Sequence, residues 1–503
     1  MAIFCNSKKL KILFVSTEAA PFVKVGGLGS VMSSLPKALK DLGYDARVMI
    51  PCYLTVDRNT FHLKMEYEDL EVPTDNSEGP DYLKCNVKKC EANPELKVGV
   101  TTYFLENQEY YEQRANVYGY ADDAVRWVLL CRGALEFVRR NHDWTPDIIV
   151  SSDWQIALIN NYLKTVYDND PVLSKISTVF SIHNLYYQAM FDHRYVSEMD
   201  FDDGHSLVPG FNDPRLEKLN CMRRGIMFAD VINTVSPNYA REIMTEDYGE
   251  LLDDILRERR VVLSGILNGI NYDLWNPKTN PHVSFRYDEN QLDERQKNKA
   301  VLQERFGLPV KPEVFVAAIV SRLNPQKGLN LLFSIADTLL QELPMQLVVV
   351  GEGDSDFMSF FHNLEISHPN QVATSLKFDP ILPFSVFAGA DIVLTPSKFE
   401  PCGLTQMEAM RMGCVPIIRK TGGLADSVED YDPDTQTGTG FVFERFDHSS
   451  LMITIVRAFE NFRDKKKWRE LQRRAMRKDF SWSNSAKKYI ELFERAIEIH
   501  NNK

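Results

Sequence analysis

The chain has 503 residues, 44% of them apolar and 25% charged, which is ordinary globular composition and enough to bury a large core without a disulfide or metal staple. Its 70 acidic against 58 basic side chains give a formal net charge of -12. That excludes a general nucleic-acid or membrane-surface binder, and an anionic substrate would need a local basic pocket.

At ~150 residues per domain the length allows three domains or two larger lobes. No apolar run approaches the ~20 residues of a membrane span. The apolar stretch after the N-terminal lysines, Ile12 to Val15, turns polar too soon for a signal-peptide core. The expected location is therefore the cytoplasm. The eight cysteines, at 5, 52, 85, 90, 131, 221, 402 and 414, form no CxxC pair and no zinc spacing, and read as buried or idle thiols.

In chain order, short apolar runs predict strands at Ile12–Ser16, Ala46–Ile50, Val100–Leu105, Asp147–Ser151, Thr178–Ile182 and Val231–Val235. Helical patterns lie between most of them, at Val31–Leu42, Ala124–Arg140, Gln155–Val166 and Arg215–Phe228. The second half repeats the alternation. Strands are expected at Val314–Val320, Gln346–Val350, Val372–Phe378, Ile392–Thr395 and Val415–Ile418. Helices are expected at Leu329–Glu342, Ser355–Ile366, Ser385–Ala388, Leu404–Met412 and Leu451–Asn461. Strands alternating with helices imply βαβ units and parallel sheets covered on both faces. A Pro/Asn cluster, Trp275 to Pro281, breaks both periods, so the chain should cross between two α/β lobes, each a doubly wound parallel sheet, somewhere in 245–280. Ligands of such sheets bind beyond the carboxyl ends of the strands.

The segments after the strands carry the candidate chemistry. After the first comes Lys24-Val25-Gly26-Gly27-Leu28-Gly29-Ser30, leading into a helix. Its glycines permit close backbone approach, its N–H groups can hold an anion, and Lys24 adds a mobile charge. The spacing is neither GxGxxG nor a P-loop, and a plain strand-to-helix turn is the competing reading. After Val314–Val320 come Arg322 and Lys327, a fork and a point charge that could clamp a diphosphate or could be two solvated cations. After Leu394, Pro401 and Gly403 mark a tight turn between Glu400 and the helix bearing Glu408. A buried carboxylate there could hold ribose hydroxyls or face a sugar; alone, each is as well explained as a cap or a surface charge. Thr421-Gly422-Gly423 makes a second Gly-rich turn. Asp354-Ser355-Asp356 has the form of a DxD metal site, but Asp354 also suits a helix N-cap. Asp153-Trp154 and His183-Asn184 end two strands of the first half, where Trp154 could be a core aromatic or a sugar platform.

In this order the motifs become specific. The chain resembles the bacterial glycogen synthases and plant starch synthases, the ADP-glucose type of retaining glycosyltransferase (family 5). The resemblance rests on Lys24–Gly29, Ser181–Gln188, Asn233–Pro237, Gly265–Ile270, Ser321–Gly328, Phe399–Leu404 (FEPCGL), Thr421–Asp426 (TGGLAD) and Phe480–Trp482, and spans residues 10 to 497. It implies a GT-B fold, two Rossmann-like lobes facing a deep cleft. The implied divisions are an N-terminal, acceptor-side lobe over 1–255, a donor-binding lobe over 256–478, and a last helix over 479–503 that crosses back to the first lobe.

The resemblance also implies the reaction, transfer of glucose from ADP-glucose to the non-reducing end of an α-1,4-glucan with retention and with no metal or other cofactor. The partners would be the nucleotide-sugar and a glucan such as glycogen or malto-oligosaccharide, with no nucleic acid or membrane, the oligomeric state being open. Arg322 and Lys327 would neutralise the departing diphosphate, and Glu400 would sit near the donor sugar. Lys24, Gly26 and Gly27 would close on the donor, the N–H groups of Gly403, Leu404 and Thr405 would meet phosphate, and Asn268 would lie near the donor. Ser152, Asp153, His183 and Glu408 would line the sugar or acceptor region.

Two departures from the family pattern stand out. Ser30 replaces the Asp of GGLGDV, and Ser152 replaces the His of His-Asp-Trp. Ser152 is short and cannot titrate near neutrality. Asn271 and Glu408 are smaller departures. Two other readings therefore stand beside the first. One is a retaining transferase of the same fold with another nucleotide-sugar or acceptor. The other is a non-catalytic glucan-binding protein, against which the intact Lys24, Arg322, Lys327 and Glu400 speak.

Overall fold

The structure, a computed structural model, describes residues 9–197 and 202–502. Cys5 lies outside the described residues, and the other seven cysteines are free thiols, six of them buried. No described helix is long and apolar enough to cross a membrane.

The first unit comprises the described residues up to Val235, Ala240–Ile266, and the chain from Trp482 onward. Its sheet has nine strands: β1 (Lys11–Val15), β2 (Asp45–Pro51), β3 (Lys64–Pro73), β4 (Tyr82–Cys90), β5 (Thr102–Glu106), β6 (Ile148–Ser152), β7 (Ser177–Ile182), β8 (Val231–Thr234) and β9 (Leu263–Gly265). Their order is β3-β4-β5-β2-β1-β6-β7-β8-β9. The strands from β5 to β9 run parallel, while β3, β4 and β5 pair antiparallel at one edge. The central strands are buried on both faces, which is why they read as unbroken apolar runs. The last helix, Trp482–Asn501, packs on the helix Gly27–Asp41 and on β7 and β8, inserting Tyr489 and Phe493 into the first core.

The second unit comprises Ser236–Tyr239 and Leu267–Ser481. Its strands are β10 (Phe315–Val320), β11 (Met345–Val350), β12 (Val372–Ser375), β13 (Ile392–Thr395), β14 (Val415–Arg419) and β15 (Phe441–Phe443). All are parallel, in the order β12-β11-β10-β13-β14-β15. Apart from the short excursion at Ser236–Tyr239, the chain passes between units at 266/267 and 481/482, not at 255/256 and 478/479. Strand β9 bonds to β8 and so belongs to the first sheet. Phe480 and Ser481 stay with the second unit because Ile270 N–H donates to the Phe480 carbonyl at 2.8 Å and Ile270 bridges Ser481.

Each sheet reverses its winding direction at one place, between β1 and β6 in the first unit and between β10 and β13 in the second. At such a switch point neighbouring loops leave in opposite directions and open a crevice at the strand ends. The segments that follow these four strands are the ones carrying Lys24, Asp153, Arg322 with Lys327, and Glu400.

Candidate active site

The helix after β1 begins at Gly27, four residues earlier than its apolar period predicts, so Lys24, Val25 and Gly26 form the turn into it. Lys24 is exposed. Two amides of that turn, those of Val25 and Gly26, are taken up within the protein. Glu18, only 2% exposed, accepts through Oε2 from Val25 N–H at 2.6 Å and Gly26 N–H at 3.1 Å. Its Oε1 accepts from the Tyr118 hydroxyl at 3.3 Å. Sequence reasoning passed over Glu18, although it bears the same mark as Glu400, a carboxylate just beyond an apolar strand.

At the ends of β6 and β7, Asp153 adopts a left-handed conformation (φ 58°). Its Oδ1 accepts from His183 N–H at 2.7 Å and Asn184 N–H at 3.3 Å. Burial, reinforced by the charge of Glu18, pushes the Asp153 carboxyl up to about 7 against the pull of those two N–H groups. Burial also lowers the His183 imidazole to about 4, with Glu18 opposing, so the ring is neutral at pH 7. His183 Nε2 lies 3.3 Å from Ser181 Oγ. Ser152 is fully buried, and its hydroxyl has no hydrogen-bond partner among the described residues. Trp154 packs against the first core and is thus a core aromatic.

In the second unit Lys327 Nζ donates to Glu400 Oε2 at 2.6 Å, and Ser397 Oγ donates to the same oxygen at 3.0 Å. Glu400 is 7% exposed. Its main chain is clamped from behind, where Gly423 N–H donates to the Glu400 carbonyl at 3.1 Å. Gly422 sits at φ +43°, and a Cβ there would lie 1.9 Å from that carbonyl oxygen, so only glycine fits. The TGG turn thus seats Glu400. A pocket lined by Ser321, Lys327, Ser397, Glu400, Gly403 and Thr405 opens beside the pair. Arg322 is exposed at the end of β10, and its guanidinium makes no hydrogen bond or ion pair among the described residues.

Gly403 and Leu404 precede the helix Thr405–Arg411, whose first turn holds Glu408. Asn268 is buried, with Oδ1 unpartnered, and contacts the Cys402 thiol, which burial pushes up to about 12. The Asp354–Asp356 stretch is exposed, with Asp354 at the N-cap of the helix Ser355–Ser367. Among the described residues no three His, Cys, Asp or Glu side chains gather as a metal site would require.

The structure therefore gathers Arg322, Lys327, Glu400, Asn268 and Gly403–Thr405 on the second unit. It gathers Lys24, Gly26, Gly27, Ser152, Asp153 and His183 on the first. The second unit's set has a pocket holding the Lys327–Glu400 ion pair, with Arg322 exposed at the end of β10 as a further cation. The first offers one mobile cation and a neutral imidazole.

Comparisons with known proteins converge. Residues 11–258 match the starch synthase catalytic domain, and residues 301–475 match the glycosyl transferases group 1. A glycogen synthase of Thermotoga petrophila is 42% identical, covering 97% of this chain and 99% of that protein. One from Clostridium perfringens is 40% identical over 98% and 99%. The catalytic domain of starch synthase IV from Arabidopsis thaliana, solved with ADP and acarbose, superposes with a TM-score of 0.83 at 31% identity, covering 98% of this chain and all of that one. With two Rossmann-like sheets in the GT-B manner and relatives matched end to end, the chain belongs to the glycogen and starch synthase family of glycosyltransferases.

Proposed function

We propose that the protein is a cytoplasmic, metal-independent synthase that moves glucose from ADP-glucose to the non-reducing end of an α-1,4-glucan with retention of configuration. The observation that carries this reading is the half-buried Lys327–Glu400 pair, with Arg322 unengaged at the end of β10. An ammonium has three donors. One holds Glu400, which leaves two for the oxygens of a diphosphate, while Arg322 adds a fork geometry matched to phosphate. Two fixed cations stabilise the charge that develops on the leaving nucleoside diphosphate, the role a divalent ion would otherwise fill.

Both hydrogen bonds to Glu400 go to Oε2, so Oε1 is oriented for donor-sugar hydroxyls, and its negative charge favours an oxocarbenium-like transition state. The amides at Gly403–Thr405 complete the phosphate contact. Lys24 supplies a further, mobile cation for the donor. Neutral His183 can accept or donate a hydrogen bond to a sugar hydroxyl at pH 7 without adding charge.

The acceptor and donor class also rest on the relatives, named glycogen synthases, and on the Arabidopsis enzyme bound to ADP and acarbose. The test is extension of maltohexaose by ADP-glucose with and without EDTA, followed by proton NMR. The expected product carries new α-1,4 signals at equal rates in both samples. A β-linked product, or loss of turnover with EDTA, would contradict the proposal.

A further inference from the structure

Glu18 is a buried carboxylate near the first-unit site that the reaction scheme leaves without a task. It sits on the loop after β1, 2% exposed, and such a charge is tolerated in the interior only when donors surround it. Its donors are the Val25 and Gly26 amides at 2.6 and 3.1 Å and the Tyr118 hydroxyl at 3.3 Å. The Tyr118 oxygen is itself 2.7 Å from Thr17 Oγ1, which anchors this end of the network to the same loop. The glycines of the turn divide accordingly. A Cβ on Gly29 would lie 2.8 Å from Glu18 Oε2 and 3.2 Å from Lys24 Cγ, so this glycine makes room for the carboxylate. A Cβ on Gly27 would meet nothing within 4 Å. Lys24 itself is exposed and makes no hydrogen bond or ion pair among the described residues, so its own side chain does not fix the turn.

We infer that Glu18 is the positioning residue of the Lys24 turn: by holding the amides of Val25 and Gly26 it sets where Lys24 presents its ammonium to the donor. Two of the turn's amides, those of Val25 and Gly26, are thus filled by the protein's own carboxylate, and the side-chain charge the turn offers is that of Lys24. The inference rests on the proposed contact of Lys24 with the donor.

Two measurements on the full chain test it, hydrogen exchange at Val25 and Gly26 and a double-mutant cycle between E18A and K24A in turnover of ADP-glucose with glycogen. E18A should speed exchange of both amides by about tenfold or more, since hydrogen bonds to a charged group are the stronger kind. It should lower kcat about as far as K24A does, and the double variant should be no worse than the poorer single one, because both changes remove one function. E18Q, which keeps an acceptor oxygen, should lie between wild type and E18A. Unchanged exchange in E18A, wild-type kcat in E18A, or losses that multiply in the double variant would overturn the inference. If E18A does not fold, E18Q is read by the same criteria. Wild-type turnover in K24A would remove the Lys24 contact and the inference with it, an outcome distinct from an impaired K24A beside an unimpaired E18 variant.

Discussion

At 2.6 Å, and with Ser397 donating to the same oxygen, the Lys327–Glu400 pair is held in one geometry before a substrate arrives. Removing the ammonium deletes a preorganised donor for the leaving group, so K327A should lower kcat by about 10²–10³-fold. It also strands a buried carboxylate, which lowers stability. K327A/E400Q separates the two effects. With both charges gone its melting temperature should recover toward wild type while turnover stays lost, and recovered turnover would remove Lys327 from the chemistry.

Asp153 gives a pH signature with a defined sign. Its folded value is raised to about 7, whereas an unfolded aspartate titrates near ~4. The folded state therefore binds the extra proton in that window, and the stability this group contributes is full below ~4 and lost as pH rises through about 7. His183, lowered to about 4, runs the other way, its contribution full above ~6.5 and lost as pH falls toward 4. D153N keeps an acceptor for His183 N–H and does not titrate. Its stability relative to wild type should rise between pH 4 and 7 and level off above, with the histidine cancelling in the difference. Denaturant unfolding at pH 4.5, 6 and 8 measures this, and a flat difference contradicts it. Ser152 yields a simpler test. A buried hydroxyl without a partner carries a desolvation penalty of about 1–3 kcal/mol. S152A should match or exceed the wild-type melting temperature, and a clear decrease would reveal a partner for the hydroxyl.

Among the elements, those buried on both faces were legible. Strands β10, β11 and β13 are continuous apolar runs, and their predicted and observed limits agree within one residue. The β3–β4 hairpin was not. Its strands are mostly half-buried or exposed and rich in charge, and irregularities at Met65/Tyr67 and Tyr67/Leu70 break the alternation that marks a strand. The helix Leu292–Arg305 was missed for the opposite reason. It buries Arg295, Asn298, Lys299 and Gln303, with Lys299 donating to Asp391 at 2.7 Å and Arg295 to the Met412 carbonyl at 3.0 Å, so no apolar stripe shows.

The site was legible as residue types at strand ends, while its partnerships were not. Nothing in the spacing says that Glu18 fills the Lys24 turn, that Ser397 shares Glu400, or that Gly422 seats it. The last helix shows the same limit. The resemblance implied the helix, but nothing in the spacing shows the hydrogen bond from Asn233 Nδ2 to the Tyr489 hydroxyl at 3.0 Å, buried where the helix meets β8. Y489F leaves that amide unpaired and should cost about 1–3 kcal/mol in equilibrium unfolding. No measurable cost would mean the helix is held by its apolar face alone.

Over the whole molecule one rule is used twice. Each unit closes a doubly wound sheet around its own core, and each sets its charged residues at the strand ends beside its switch point. Three of the motifs that signalled the family, Lys24–Gly29, Ser321–Gly328 and Phe399–Leu404, are such segments, and the set remained readable across 503 residues although Ser30 and Ser152 depart from the pattern. The proposed function assigns donor recognition to the pocket beside Lys327 and Glu400, and donor choice is measured directly. Purified protein is given glycogen with ADP-glucose, UDP-glucose or GDP-mannose, and incorporation of labelled sugar is followed. The account predicts strong incorporation from ADP-glucose and far less from the other two. Silence with ADP-glucose beside turnover of another donor, or silence with all three, would contradict it.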